Sequence, residues 1–259
     1  MNKLLTVGEI EKLLKSEIPM ELAESWDNVG LLVGDRDREV RRVLVALDAT
    51  DSVIDEAIDN YIDLIVTHHP VIFGGLKSIT KDKCGNIYRL IEKGISVFSA
   101  HTNFDKLEVG TSAVLADKLC LKNTEVLSSN GFGRIGELEN PILFDTYICI
   151  IKNILGLDYV NVVGEMKKPI KKVAVCGGSG SEFLEVAFRK GADLYISGDV
   201  TYHNAQRARE LGINWVDATH YASENISMKN LKEIVDKVVE VTDIYVELST
   251  IYDQPFRCV

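Results

Sequence analysis

Short apolar runs of β type alternate with helix-period segments along nearly the whole chain, and that alternation admits few folds. Arg42 to Leu47, Asp63 to Thr67, Ile95 to Ser99, Lys172 to Cys176, Asp193 to Ser197 and Asn214 to Ala218 read as strands. Between and around them, Thr6 to Leu14, Asp51 to Tyr61, Gly85 to Lys93, Phe144 to Leu155, Ser181 to Lys190 and Tyr202 to Leu211 carry the apolar stripe of covering helices. The first opens on a capping box, Thr6 with Glu9, and Gly94, Gly191 and Gly212 stand where helices stop. Strands joined through helices require right-handed crossovers, so the expectation is an α/β fold with largely parallel sheets flanked by helices. Aligning Val43 with Val173 superposes strand, helix, strand and polar motif through His68 and Gly198, which predicts two related α/β domains. Asn130 to Ile170 breaks the pattern with the turn-rich Gly131 to Gly136, so the boundary is expected near residue 126, with the second domain over 127–221.

All five histidines lie just beyond strand-like runs, in Thr67-His68-His69-Pro70, Ala100-His101-Thr102-Asn103-Phe104-Asp105, Thr201-Tyr202-His203-Asn204 and Thr219-His220-Tyr221-Ala222-Ser223-Glu224. Ligands of open α/β sheets gather outside the carboxyl ends of strands, where loops leave the rigid scaffold. Imidazole and carboxylate together hold divalent first-row metals without thiolates. Neighbouring strand residues face opposite ways, so His68 and His69 serve one site only if the chain turns there, and Pro70 favours such a turn. Asp105 stands four residues beyond His101 and Glu224 four beyond His220, so each pair shares a face if a helix starts there. Carboxylates can bridge two cations, which makes Asp105 and Glu224 candidate bridging ligands. Two such metals would hold a shared water as hydroxide near neutral pH. His203 is the weakest of the histidines, since it could simply open a solvent-facing helix. Gly177-Gly178-Ser179-Gly180 after a strand resembles a phosphate cradle but lacks the Lys-Ser/Thr of a phosphate loop, so a plain tight turn is favoured over nucleotide binding. Gly74-Gly75 either lets backbone approach a ligand or eases a turn. Trp26 and Asp27 read as a core aromatic and a turn cap, slightly favoured over a role in the site.

Composition narrows the classes further. A net charge of -10 argues against a phosphate-backbone binder, so nucleic acid is not an expected partner. Cys84, Cys120, Cys149, Cys176 and Cys258 include no C-x-x-C pair and read as scattered thiols of a reducing, cytoplasmic protein. Met1-Asn2-Lys3-Leu4-Leu5 leads into a charged helical segment without the apolar stretch of a signal peptide, and no apolar run reaches membrane-spanning length.

At these residues the chain closely resembles the Nif-three-like dinuclear metal centre family, whose members are also called GTP cyclohydrolase 1 type 2 homologues. The matching segments are Trp26 to Gly34, Thr67 to Phe73, Ala100 to Asp105, Ser197 to His203 and Asp217 to Glu224, five motifs in family order. The resemblance implies that His68, His69, Asp105, His220 and Glu224 bind two divalent metal ions in an interdomain cleft, with His101 close by. It also implies a toroidal homohexamer and a return of residues 222–259 to a first domain over 1–126. Mixed nitrogen and oxygen ligation suits Zn, Fe, Mn, Co or Ni equally, so metal identity is not readable. The expected function is a metal-dependent hydrolase in which metal-bound hydroxide attacks a small nucleotide- or pterin-like substrate while His101 or His203 shuttles protons. The alternative is a non-catalytic metal-binding hexamer that serves as a scaffold or binds partners.

Overall fold

The computed structural model describes residues 4–257, so Met1, Asn2, Lys3 and Cys258 of the sequence reading lie outside the described residues. Along the chain come β1 (Leu5–Thr6), α1 (Val7–Glu17), a 3-10 turn at Met20–Leu22, β2 (Gly30–Val33), β3 (Glu39–Val40), β4 (Arg42–Ala46), α2 (Asp51–Asp59), β5 (Leu64–Thr67), α3 (Gly85–Lys93), β6 (Ser96–Ser99) and α4 (Thr102–Asp105). There follow α5 (Thr111–Lys118), β7 (Lys122–Val126), β8 (Arg134–Leu143), α6 (Phe144–Leu155), β9 (Asn161–Val163), β10 (Pro169–Ser179), a 3-10 turn at Ser181–Phe183, α7 (Leu184–Arg189), β11 (Leu194–Gly198), α8 (Tyr202–Leu211), β12 (Asn214–Asp217) and α9 (His220–Asn225). The chain ends on α10 (Met228–Val239) and β13 (Tyr245–Leu248).

Two compact units result. The first takes the described residues up to Phe104 and returns for Met228–Pro255; the second takes Asp105–Ser227 and 256–257. Where the sequence predicts a boundary near 126 and a return near 222, the contacts place the divisions at Phe104 and Ser227. The reason is packing: Leu115, Ala116 and Leu119 of α5 share a buried cluster with Val173 and Val175 of β10, and β7 pairs with β8.

In the first unit the sheet order is β13-β4-β5-β6-β2, parallel except for the edge strand β2. Side chains alternate across a strand, so Leu44, Ala46, Ile65 and Val97 form one buried face under α2 and α3, with Val53, Ile54, Ala57, Ile87 and Leu90. Val43, Val45, Leu64 and Val66 point the other way, and α10 packs on β4 with α1 beside it. Strands covered on both faces read as continuous apolar runs, which is why the sequence marks them so clearly. The Thr6 capping box forms as expected: the Thr6 amide donates to Glu9 Oε2 at 2.9 Å and the Glu9 amide to Thr6 Oγ1 at 3.3 Å.

The second unit has the order β7-β8-β10-β11-β12-β9. Its central strands β10, β11 and β12 are parallel, while β7, β8 and β9 pair antiparallel, so this sheet is mixed. The turn-rich Gly131 to Gly136 of the sequence reading leads into β8, the antiparallel partner of β10. Helices α5 and α6 cover one face and α7 and α8 the other, the latter over Ala174, Tyr195 and Trp215. The internal similarity is structural as well: Val43 pairs with Leu64 and Val173 with Leu194, the same separation in both units. At each strand start one carboxylate accepts two successive amides, Asp63 from Arg41 and Arg42, Asp193 from Lys171 and Lys172. No helix among the described residues is long and apolar enough to cross a membrane. Cys84, Cys120, Cys149 and Cys176 carry free thiols.

Candidate functional site

The carboxyl ends of β5 and β6 bring three histidines together in the first unit. After Thr67 the chain leaves strand geometry, with the Thr67 hydroxyl donating to the His69 carbonyl at 2.8 Å and the His69 amide to Leu47 O at 2.9 Å. The rings of His68 and His69 therefore lie 5.0 Å apart on one site instead of on opposite faces of the sheet. His101, just beyond β6, stands 5.2 Å from His68 and 5.7 Å from His69 by ring centroids. One potential ligand atom from each of His68, His69 and His101 falls within 4.8 Å of the others, a group that could hold a metal ion.

Each ring is held by its Nδ1. His68, fully buried, donates to the Ala100 carbonyl at 2.9 Å; His69 donates to Asp48 Oδ1 at 2.7 Å; His101 donates to Asp27 Oδ1 at 2.9 Å. A hydrogen bond at Nδ1 selects the tautomer whose Nε2 carries the lone pair and fixes the ring's direction, as metal ligands require. Asp27 is covered completely. Burial alone would raise its carboxyl, but the bonds from the His101 ring and from Thr102 outweigh it and hold it down to about 2. Asp27 is thus more than the turn cap the sequence suggests. Trp26, expected in the core, is exposed instead and sits edge-on to His101.

The second unit builds its set at the carboxyl ends of β10, β11 and β12. His220 opens α9 behind the N-cap Thr219, whose side chain accepts from the Ala222 amide at 3.2 Å. One turn on, Glu224 Oε2 lies 3.0 Å from His220 Nε2, the i, i+4 pairing the spacing predicts, and the carboxylate is buried. His220 Nδ1 donates to Asp199 Oδ2 at 2.7 Å. With that nitrogen donating, a neutral ring turns a lone pair toward the Glu224 oxygen. Two acceptors at that distance repel unless a positive charge lies between them, so the donor set fits a cation. Asp105, at the end of α4, is buried and accepts a short hydrogen bond from Thr111.

Gly177 and Gly178 form the wall of this set and belong to β10, not to the tight turn the sequence suggests. A Cβ on Gly177 would meet Thr111 at 3.0 Å and Glu224 at 3.5 Å, and one on Gly178 would sit 2.0 Å from Glu224 Oε1. Their amides are bound by Ser112 and Ser223. Cys176, next in the strand, is buried, and that burial, reinforced by the Asp105 carboxylate, pushes its thiol up to about 12. A neutral thiol is what remains beside the carboxylates. His203 stands apart on the exposed first turn of α8, edge-on to Tyr202 at 5.4 Å, and shows no acceptor for its ring among the described residues.

Asp27, Asp48 and Asp199 are the functional residues the sequence reading leaves out. Asp199 directly follows β11 and Asp48 comes two residues after β4, at the same edges as the histidines, and that position was the available signal. Asp27 stands in the matching Trp26 to Gly34 segment, but its partner is 74 positions away, so its role did not show.

Residues 5–255 match the family described as Duf34/NIF3 (NGG1p interacting factor 3). A Clostridium perfringens protein named GTP cyclohydrolase 1 type 2 homolog is 36% identical over 251 residues, covering 94% of this chain and 95% of the relative. A solved Bacillus cereus protein related to NIF3 superposes with TM-score 0.95 at 26% identity, over 99% of this chain and 100% of that one. A Staphylococcus aureus hypothetical protein gives 0.93 at 32% identity with the same coverage. An α/β chain with this length of match and these motifs belongs to the Duf34/NIF3 family.

Proposed function

We propose that this chain is a metal-dependent hydrolase of a small nucleotide- or pterin-like molecule, with two divalent cations held by His68, His69, Asp105, His220 and Glu224. The observation that carries the reading is the treatment of the rings: His68, His69, His101 and His220 each have Nδ1 fixed by a carboxylate or carbonyl, and His203 does not. For His68, His69 and His220 this fixing of one tautomer is the outer-shell pattern of metal-binding imidazoles, and for His101 it leaves Nε2 free to take a proton. The names of the relatives support a cyclohydrolase-type substrate. When bound, divalent cations supply Lewis acidity that activates water near neutral pH.

The chain's own residues do the rest. Asp105 and Glu224 add negative charge that balances two cations, and Thr111 keeps the Asp105 carboxylate in place. His101, anchored by Asp27, takes a proton at Nε2 from the attacking water and returns it to the leaving group. Asp27 stabilises the charged ring while it holds that proton, and its lowered pKa keeps it ionised throughout. His203 has no part in this reading. A homohexamer, proposed from the family resemblance, would be read directly by light scattering.

The test is elemental analysis of purified protein together with turnover of a nucleotide and phosphoester panel. Wild type is expected to hold two metals per chain, and His69→Ala to hold fewer and lose turnover about a thousandfold or more, as loss of a core catalytic element does. Full metal content with undiminished turnover in His69→Ala overturns the proposal.

A further inference from the structure

We propose that Trp26 and Phe73 form a corner that binds a planar heteroaromatic ring and sets it beside His101. This deepens the hydrolase reading and rests on its placing the reaction at His68, His69 and His101. Trp26 is 60% exposed and Phe73 70%. Their centroids are 6.0 Å apart and their planes are inclined at 60°.

Neither ring is exposed because its backbone is loose. The Asn28 side chain donates to the Ile72 carbonyl at 2.7 Å, which ties the turn bearing Trp26 to the segment bearing Phe73. The Glu24 amide donates to Thr102 Oγ1 at 2.9 Å, and Asp27 accepts from the Thr102 amide at 3.1 Å. Those bonds fasten the same turn to α4. Large apolar rings held in water on a fixed backbone are a preorganised contact surface, because little backbone entropy remains to be lost when a ligand arrives.

Position supplies the second observation. His101 lies 6.2 Å from Trp26 and 6.4 Å from Phe73, with the planes inclined at 75° and 79°. The corner therefore borders the histidine group directly. A flat ring stacked on one wall meets the other steeply, which gives one offset stack and one edge contact, the two favourable aromatic geometries. Every heteroaromatic base has a π face, so such a corner selects for flatness and leaves base identity to polar groups. A sugar phosphate without a base gains nothing from it. Beyond Phe73, a Cβ on Gly74 or Gly75 would meet nothing within 4 Å, so the backbone leaves room for the ligand's edge.

The chain carries its own reporter. Trp215 is fully buried with Nε1 bonded to Ser197, so a solute that quenches emission acts on Trp26. Guanosine is the probe, ribose 5-phosphate the ring-free control, and both are titrated by fluorescence and calorimetry into metal-loaded and chelator-treated protein. Guanosine is expected to quench saturably in both metal states and ribose 5-phosphate in neither. Phe73→Ala and Trp26→Ala, the latter read by calorimetry, are each expected to weaken guanosine roughly tenfold. Absence of saturable guanosine binding, or unchanged affinity in both variants, overturns the corner. A change of oligomeric state in the variants with guanosine affinity intact assigns the rings to an interface between copies and also overturns it. Ring binding without turnover of any panel member would instead remove the hydrolase reading and leave the corner standing.

Discussion

A histidine becomes a usable ligand only when something else decides which nitrogen keeps its proton, and in this chain that decision is made by residues far away in sequence. Asp27 acts on His101 from 74 positions off, and Ala100 on His68 from 32. Around His220 the backbone itself is strained: Asp199 and Thr219, neither a glycine, adopt φ of 55° and 60°. Such conformations cost of order 1 kcal/mol or more and persist where the surroundings over-determine them. Gly178, at φ +64°, has both a conformational and a steric reason to be glycine. Gly156, at φ +65° with nothing within 4 Å of a built Cβ, has only the first. Alanine at Gly156 should cost about 1 kcal/mol of stability, and alanine at Gly178 more, because its Cβ must also push the buried Glu224 aside. Only Gly178→Ala should also displace Glu224 and lower metal affinity, by about tenfold or more. Equal metal affinities for the two variants, measured by competition with a chromophoric chelator, would contradict the role given to Gly178.

Helices α3 and α8 run over the residues that periodicity and a following glycine predict, and α6 over those that periodicity predicts. The helix expected over Ser181 to Lys190 is instead a 3-10 turn at Ser181–Phe183 followed by α7. Strands β7 and β9 are not legible, because β7 is exposed throughout and β9 nearly so, and an edge strand without a buried face leaves no alternation to find. Helix α1 shows how an element is pinned once formed. Glu11, largely buried, accepts from Lys15 Nζ at 2.7 Å and Arg36 Nε at 2.8 Å, which ties the helix to the segment before β3. Burial would raise the Glu11 carboxyl, but Arg36 and then Lys15 more than compensate, so its pKa lies below the usual 4.5. A carboxyl depressed by folding contributes stability that is complete above its unfolded value and is lost as pH falls through the folded one. The melting temperature of Glu11→Gln should therefore trail wild type at pH 7 by a gap that narrows as pH falls below the ordinary carboxyl value and through the depressed one. A gap of the same size at pH 7 and pH 3.5 would refute this account.

At the scale of the whole molecule, the proposed metal binding would be linked to folding, because each group of donors comes together only in the native chain. Zn2+ or Mn2+ at a hundredfold excess over Kd stabilises a single site by about 2.7 kcal/mol. For a chain of this size that is on the order of 5–10 °C in melting temperature. Chelator-treated protein should melt lower by that margin and recover on metal addition; a melting temperature indifferent to both would exclude a native metal site. Class, the positions of the buried central strands and the histidine and carboxylate candidates were determined by sequence alone, because periodicity and residue chemistry are local properties. The units divide at Phe104 and Ser227, and β8 pairs antiparallel with β10, because packing across long separations chose those arrangements. Which nitrogen each imidazole offers, and why Gly177 and Gly178 must lack side chains, was likewise left to tertiary structure. Hydrogen bonds and steric limits between distant residues exist only once the chain has closed on itself.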